Sequence, residues 1–309
     1  MKQLKIKGGI PLNLKPYRYT RDNFHIADCD TEQGDEFGTK EESIQRLNDN
    51  LEKMAVYQDK LYSEGREGIL IVIQAMDAAG KDGAIKHIFT IFNPAGVNVY
   101  SFKQPSQEEL AHDYLWRAMK NLPERGRIAI FNRSYYEDVL VGKVHKLYEN
   151  QKMPKRCENG DVIKRRYEEI RNFEKYIYNN GITVLKFFLN VSVQEQKERF
   201  LERIDDESKN WKFSHADIEE RAYWDDYMKA YEEAINQTAT QEVPWYVIPA
   251  DKKWFAHCLI SEIVCAAMKE IDPHYPELPQ ESKNTLLECR KAIMEEKVPS
   301  SETLSVETE

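Results

Sequence analysis

The chain has 309 residues, a length for one large α/β domain or two small ones, and its 41 % hydrophobic residues suffice for a sizeable core. A formal net charge of −9 argues against a general affinity for nucleic acid or acidic lipid, so any anionic substrate must be caught by a local basic cluster. The five cysteines form no C-x-x-C pair and the longest aliphatic run, Ile69 to Ile73, is too short to span a bilayer; with no apolar leader at the start, a reduced, cytoplasmic setting is expected.

Residues 1–40 are polar, with several glycines, prolines and aspartates, and read as an extended N-terminal arm. Residues 42–63 carry Leu47, Leu51, Met54 and Leu61 at helical spacing, which predicts an amphipathic helix ended by Gly65 and Gly68. Five apolar runs follow, at 69–75, 97–102, 127–131, 182–189 and 245–249. Helix-like segments lie between them, at 81–92, 107–119, 161–180, 192–205 and 214–236. Strands apolar on both faces that alternate with helices predict a five-stranded parallel sheet covered on both sides. Residues 253–270 and 280–296 read as closing helices, Cys258 and Cys265 serving as core packing in the first. The polar stretch 297–309 reads as a disordered tail. No repeat or linker divides residues 41–296, which read as one domain.

The first strand leads into "AMDAAGKDG". A strand that passes through a glycine turn into a helix presents unpaired N–H groups and the positive end of the dipole, a site for phosphate. Against the P-loop pattern G-x-x-x-x-G-K-[ST], Gly80 and Lys81 fit, Ala75 replaces the first glycine, and Asp82 replaces the hydroxyl residue. Asp77 and Asp82 flank Lys81, and carboxylates beside phosphates make sense if Mg²⁺ sits between them. The alternative is a plain strand–turn–helix connection with a surface lysine.

A second strand end, in "RIAIFNRSYYEDVL", gathers Asn132, Arg133 and Glu137 at the edge where open α/β sheets bind ligands. Arg133 could instead form an ordinary ion pair, and Glu137 could simply complement a helix dipole. Farther on, Arg199 and Arg203 are four apart and share a helix face. Lys209, Trp211 and Lys212 lie in a loop before a capping box at Ser214 and Asp217, an arrangement suited to a basic lid over phosphates. In the blander reading, Trp211 and Phe213 form a hydrophobic staple and the charges are solvated. Trp224, Tyr227 and Tyr231 recur at helical spacing and are expected in the core, and the run Lys164-Arg165-Arg166 on a solvated face. Arg117 could reach a nucleotide phosphate or merely an acidic neighbour, and Lys103, which follows the second strand, could line the same edge.

Taken together, "AMDAAGKDG", "FNRSYYED" and "KNWKFS" make residues 10 to 270 closely similar to the family-2 polyphosphate kinases. That resemblance implies a three-layer αβα P-loop kinase fold with a helical lid near 203–225. It implies Mg²⁺-dependent, reversible phosphoryl transfer, with Mn²⁺ as an alternative ion, from inorganic polyphosphate to a nucleotide, in a homodimer or homotetramer. Asn132 and Glu137 resemble the class III members, which accept both AMP and ADP and form ADP and ATP. The implied catalytic set is Asp77, Lys81, Arg133, Arg203 and Glu137, with Asp77 and Glu137 toward the metal. The implied phosphate and nucleotide contacts are Ala78, Ala79, Gly80, Asp82, Gly83, Lys103, Arg117, Asn132, Lys209 and Lys212. No nucleic-acid or membrane partner is expected. The competing readings are an ATP-dependent nucleoside monophosphate kinase on the same fold and a non-catalytic phosphate-binding protein.

Overall fold

Eight consecutive buried residues, Gly68–Ala75, form the strand at the centre of the sheet (β2), as expected for a parallel strand covered on both faces. The computed structural model describes residues 13–20, 23–32, 38–158 and 160–296; the first twelve residues and the stretch 297–309 lie outside the described residues. The remaining strands are β1 (Arg18–Tyr19), β3 (Val97–Ser101), β4 (Ile128–Asn132), β5 (Ile182–Asn190) and β6 (Trp245–Pro249), in the order β1-β6-β5-β2-β4-β3. The five expected strands are present and mutually parallel. The sheet has a sixth strand that the apolar pattern does not mark: β1 pairs antiparallel with β6, and its two residues are too few to leave a periodic signal.

The helices are α1 (Lys40–Glu64), α2 (Lys81–Phe89), α3 (Gln107–Leu110), α4 (Trp116–Met119), α5 (Val141–Val144) and α6 (Lys155–Glu158). They continue with α7 (Val162–Asn179), α8 (Val193–Asp205), α9 (His215–Arg221), α10 (Trp224–Thr238), α11 (Lys253–Ile271) and α12 (Gln280–Glu295). α1, α2 and α11 pack together in one layer; α7 and α10 pack together in the other. Cys258 and Cys265 are buried on α11. The chain divides into two compact units at His274/Tyr275; the second carries α12.

Two helices expected as continuous are broken. Between α3 and α4, the Asp113 carboxylate accepts from Leu115 N at 3.0 Å and its carbonyl from Trp116 N at 3.1 Å, so a local aspartate turn competes with the helix. The second break separates α9 from α10 at Ala222 and Tyr223, where nothing in the local sequence marks it. The basic run 164–166 is not uniformly solvated: Arg166 is buried, donates to Asp138 O at 3.1 Å and bonds Gln151.

The topology fixes where a ligand can sit. The chain leaves β2 for the edge strand β3, returns to β4 beside β2, then crosses to β5 on the other flank. The crevice outside the carboxyl ends of β2 and β4 is the switch point of such a sheet. The turn after β4 is held from below by a buried polar network. Glu174 Oε1 accepts from the hydroxyls of Tyr135 and Tyr136, each at 2.8 Å, and Lys186 Nζ lies 2.6 Å from Glu174 Oε2. Tyr136 and Lys186 also bond Thr238. Burial pushes the Lys186 ammonium below its ordinary pKa, and Glu174 opposes that push. Removing one partner of such a pair leaves an unpaired buried charge. Lys186→Met should therefore destabilise the fold by about 3–5 kcal/mol in denaturant unfolding, and Lys186→Met with Glu174→Gln should recover most of the loss.

Candidate active site

β2 delivers the chain into the loop Met76 to Gly80, and α2 begins at Lys81. The first N–H groups of a helix have no intrahelical acceptor and carry the positive end of its dipole. The loop reaches that helix start through two left-handed residues, Ala78 with φ 61° and Gly80 with φ 111°. Glycine meets this requirement without a Cβ penalty at Gly80, whereas Ala78 holds it under strain.

Five successive carbonyl oxygens of this segment are occupied by side-chain donors. Lys81 Nζ donates to Ala75 O at 2.8 Å and to Met76 O at 3.1 Å. Gln196 Nε2 donates to Asp77 O at 2.8 Å. Arg199 Nη1 donates to Ala78 O at 3.1 Å and Ala79 O at 2.7 Å, while its Nη2 reaches Ala250 O at 2.6 Å. Arg199 is thus buried against the loop and is not a free lid cation beside Arg203.

The Asp77 carboxylate meets Arg133 Nη2 at 2.6 Å through Oδ1. Arg133 stands at φ 61° just past β4, its N–H bonded to Ile73 O at 3.0 Å, and its Nη1 lies 4.0 Å from Glu137 Oε2. Gln74 Nε2 donates to Glu137 Oε1 at 2.8 Å, and Asn132 Nδ2 to Asp82 Oδ1 at 2.8 Å. Arg133 is therefore an ion-pair residue, as the blander reading had it, but one that faces the crevice with both acids beside it.

Two cavities open at this point. One, of about 780 Å³, is lined by Asp77, Ala78, Gly80, Lys81, Asp82, Gly83, Lys103, Asn132, Arg133, Arg203 and Lys209 among the expected residues. Arg199, Glu202, Trp211, Asp217, Lys253 and His257 complete its charged and aromatic wall. The other, of about 420 Å³, is lined by Met76, Gln104, Glu137, Leu140, Val141, Gln196, Glu220, Arg221, Tyr227 and Tyr231. Asp77, Arg133 and Asp217 belong to both walls. Tyr227 and Tyr231 are core residues, as expected, and also border this second cavity.

The remaining expected residues are placed as follows. Ala79 contributes its carbonyl to Arg199. Lys209 pairs with Asp206 at 2.7 Å near the surface. Arg117 lies in neither cavity: it is buried, donates to Lys103 O at 2.8 Å and faces Phe102 and Asp138, lining a separate hollow with Tyr114 and Arg166. Lys212 sits in the turn Asn210–Lys212, and its side chain is outside the described residues. Phe213 packs edge-on against Phe200, while Trp211 is 78 % exposed, so the two do not form a staple. Lys253 and His257 escaped the sequence reading because they come from α11, far along the chain; His257 stacks on His87, with ring centroids 5.1 Å apart.

Electrostatics follow from this crowding. Burial raises the Asp77 pKa, but Lys81 and Arg133 outweigh it and hold the carboxyl below its ordinary range. Burial dominates at Lys81, which is lowered from 10.5 to about 8 although Asp77 pulls the other way. Burial, then His87 and Lys253, push His257 down to about 4. Burial also raises Asp217, which lies in the field of Asp77. Among the described residues no cluster of three or more His, Cys, Asp or Glu could cage a metal ion. A hard divalent ion that takes one or two carboxylates and completes its shell with phosphate oxygens and water still fits Asp77 and Glu137, since the Arg133 pair occupies only one Asp77 oxygen.

The Lys81 shift has a direct consequence. Its charge is present below about pH 8 and lost above it, and a bound phosphate favours the charged form. Tripolyphosphate affinity, followed by calorimetry, should therefore fall as pH rises through about 8, and Lys81→Arg should remove that alkaline fall. A wild-type affinity that is flat across this range would refute the assignment.

Comparison with known proteins identifies the family. Residues 38–276 match the profile of the polyphosphate kinase 2 family. The chain is 44 % identical over 260 residues to the ADP-polyphosphate phosphotransferase of Rhodopseudomonas palustris, covering 84 % of this chain and 90 % of that one. It is 42 % identical over 280 residues to the AMP/ADP-polyphosphate phosphotransferase of Meiothermus ruber, covering 89 % of this chain and all of that one. The crystal structure of polyphosphate kinase 2 from Arthrobacter aurescens superimposes with a TM-score of 0.79 at 36 % identity, over 87 % of this chain and 94 % of that one. A P-loop-like turn beside a cation-rich crevice, on this fold and with these relatives, has one reading: the chain belongs to the polyphosphate kinase 2 family.

Proposed function

We propose that this phosphotransferase moves a phosphoryl group from inorganic polyphosphate to AMP and ADP, forming ADP and ATP reversibly with a divalent ion, Mg²⁺ or Mn²⁺. The observation that carries this reading is the pair of cavities that share Asp77 and Arg133. The larger, with Lys81, Arg133, Arg203, Lys209 and Lys253 in its wall, suits a polyanionic donor. The smaller, bordered by tyrosines and by Glu137, suits the nucleotide acceptor. The same reading has a cytoplasmic homodimer or homotetramer acting on neither nucleic acid nor membranes; among the described residues no helix is long and apolar enough to cross a membrane.

The acceptor is a phosphate oxygen already ionised near neutral pH, so no strong general base is required. The chemistry consists of positioning two polyanions and offsetting their repulsion. Two unit charges 4 Å apart repel by about 4 kcal/mol at an effective dielectric near 20. Lys81 and the N–H groups at the start of α2 hold the transferred group, and Arg133 and Arg203 neutralise charge on its oxygens. A bound divalent ion would add positive charge between the phosphates, held by Asp77 with Glu137. Asn132 fixes Asp82 beside the helix start, and Lys103 and Lys209 line the donor path.

The deciding experiment offers purified enzyme AMP or ADP with either polyphosphate or ATP as donor. Product with polyphosphate and none with ATP is expected; the reverse would establish an ATP-dependent kinase, and binding without turnover a phosphate sensor. Glu137→Asn should lower kcat/KM for AMP more than for ADP in the same assay. Equal losses would show that Glu137 does not discriminate between acceptors.

A further inference from the structure

We propose that Gln196 is a positioning residue that couples the segment 206–221 to the backbone of Asp77. Its side-chain amide is buried and engaged at both ends: Nε2 donates to Asp77 O at 2.8 Å, and Oε1 accepts from Arg221 Nη1. A carboxamide satisfies both contacts in one orientation only, because its donor and acceptor ends are not interchangeable. Turned over, it would set oxygen against oxygen at Asp77 and nitrogen against guanidinium at Arg221.

Arg221 is the last residue of α9 and belongs to the segment that follows α8. Its Nη2 also donates to Val193 O at 3.3 Å, and its guanidinium lies 5.9 Å from the Phe200 ring centre. Arg203 approaches the same ring at 5.4 Å, and Phe213 packs on it edge-on at 6.2 Å. The segment is therefore seated on α8 around Phe200, and Gln196 joins that seat to the loop. Asp217, also on α9, lies on the wall shared by the two cavities, with Asp77 and Arg133.

If the segment lifts, Arg221 leaves Gln196 Oε1 without its donor in a buried place, which is unfavourable. The amide recovers a partner by rotating, and rotation releases Asp77 O. Seating the segment and fixing the Asp77 backbone then favour each other, reciprocally. Asp77 is fully positioned, with its carboxylate on Arg133, only when the segment is down over the donor cavity. The consequence for turnover rests on the function proposed above; the coupling itself does not.

Gln196→Glu keeps an acceptor for Arg221 and removes the donor to Asp77 O. Arg221→Gln removes the donor from the segment and leaves Gln196 in place. Each should lower kcat for ADP phosphorylation by about 10- to 100-fold with little change in KM for polyphosphate. The double variant should be no worse than the poorer single one. Unchanged kcat in either single variant, or losses that multiply in the double, would overturn the coupling. Hydrogen exchange of the loop amides 76–80 supplies a readout independent of activity and of whether Gln196→Glu folds. Arg221→Gln should speed that exchange, and unchanged protection would equally overturn the proposal. Faster exchange in an enzyme whose wild type does not use polyphosphate would leave the coupling standing and refute the function.

Discussion

A loop that receives phosphate must keep its own carbonyl oxygens from facing the anion. Here five successive carbonyls, Ala75 to Ala79, are bonded by three side chains: Lys81, Gln196 and Arg199. The two cations among them carry a second duty. Lys81 opens the helix whose N-terminus faces the cavity, and Arg199 ties the loop to the end of β6 through Ala250 and Asp251. The backbone geometry that favours an anion is thus maintained from α8 and β6, outside the motif itself.

Charge is arranged around that loop in a balanced way. Asp77 is an anion among the cations Lys81 and Arg133, which hold it ionised despite its burial. Arg133 in turn stands between Asp77 and Glu137. The backbone that presents Arg133 is left-handed, and just beyond Ser134 the side chains of Tyr135 and Tyr136 are anchored by Glu174 and Lys186 in the core. A strained residue persists where its surroundings over-determine it. The tyrosines that the buried ion pair anchors thus stand two and three residues along the chain from the arginine on which the two cavities converge.

The relatives bear on these features differently. Their names support the reaction class, and their overlap with this chain supports the fold. The proposed assignment of donor and acceptor to separate cavities rests on the residues of this chain: cations from the loop, α8 and α11 on one side, tyrosines from α10 on the other.

Much of this was legible in the residues alone. The apolar runs located β2 to β6, because a strand buried on both faces needs side chains that read as apolar at every position. The glycine-lysine turn and "NRSYYED" located the crevice, since loops at strand ends must carry the polar groups a ligand needs. The tertiary structure decided what depends on contact between distant segments. β1 exists only by pairing with β6, and Arg166 is buried only because Asp138 and Gln151 meet it. Arg199 and Arg203 share one helix face in sequence, yet packing buries the first beneath the loop and leaves the second in the cavity. Arg117 turned to its own neighbours, and Lys253 and His257 entered the site from the other end of the chain. Local pattern records which face of an element is apolar; which polar side chain finds a partner is settled only when the elements dock.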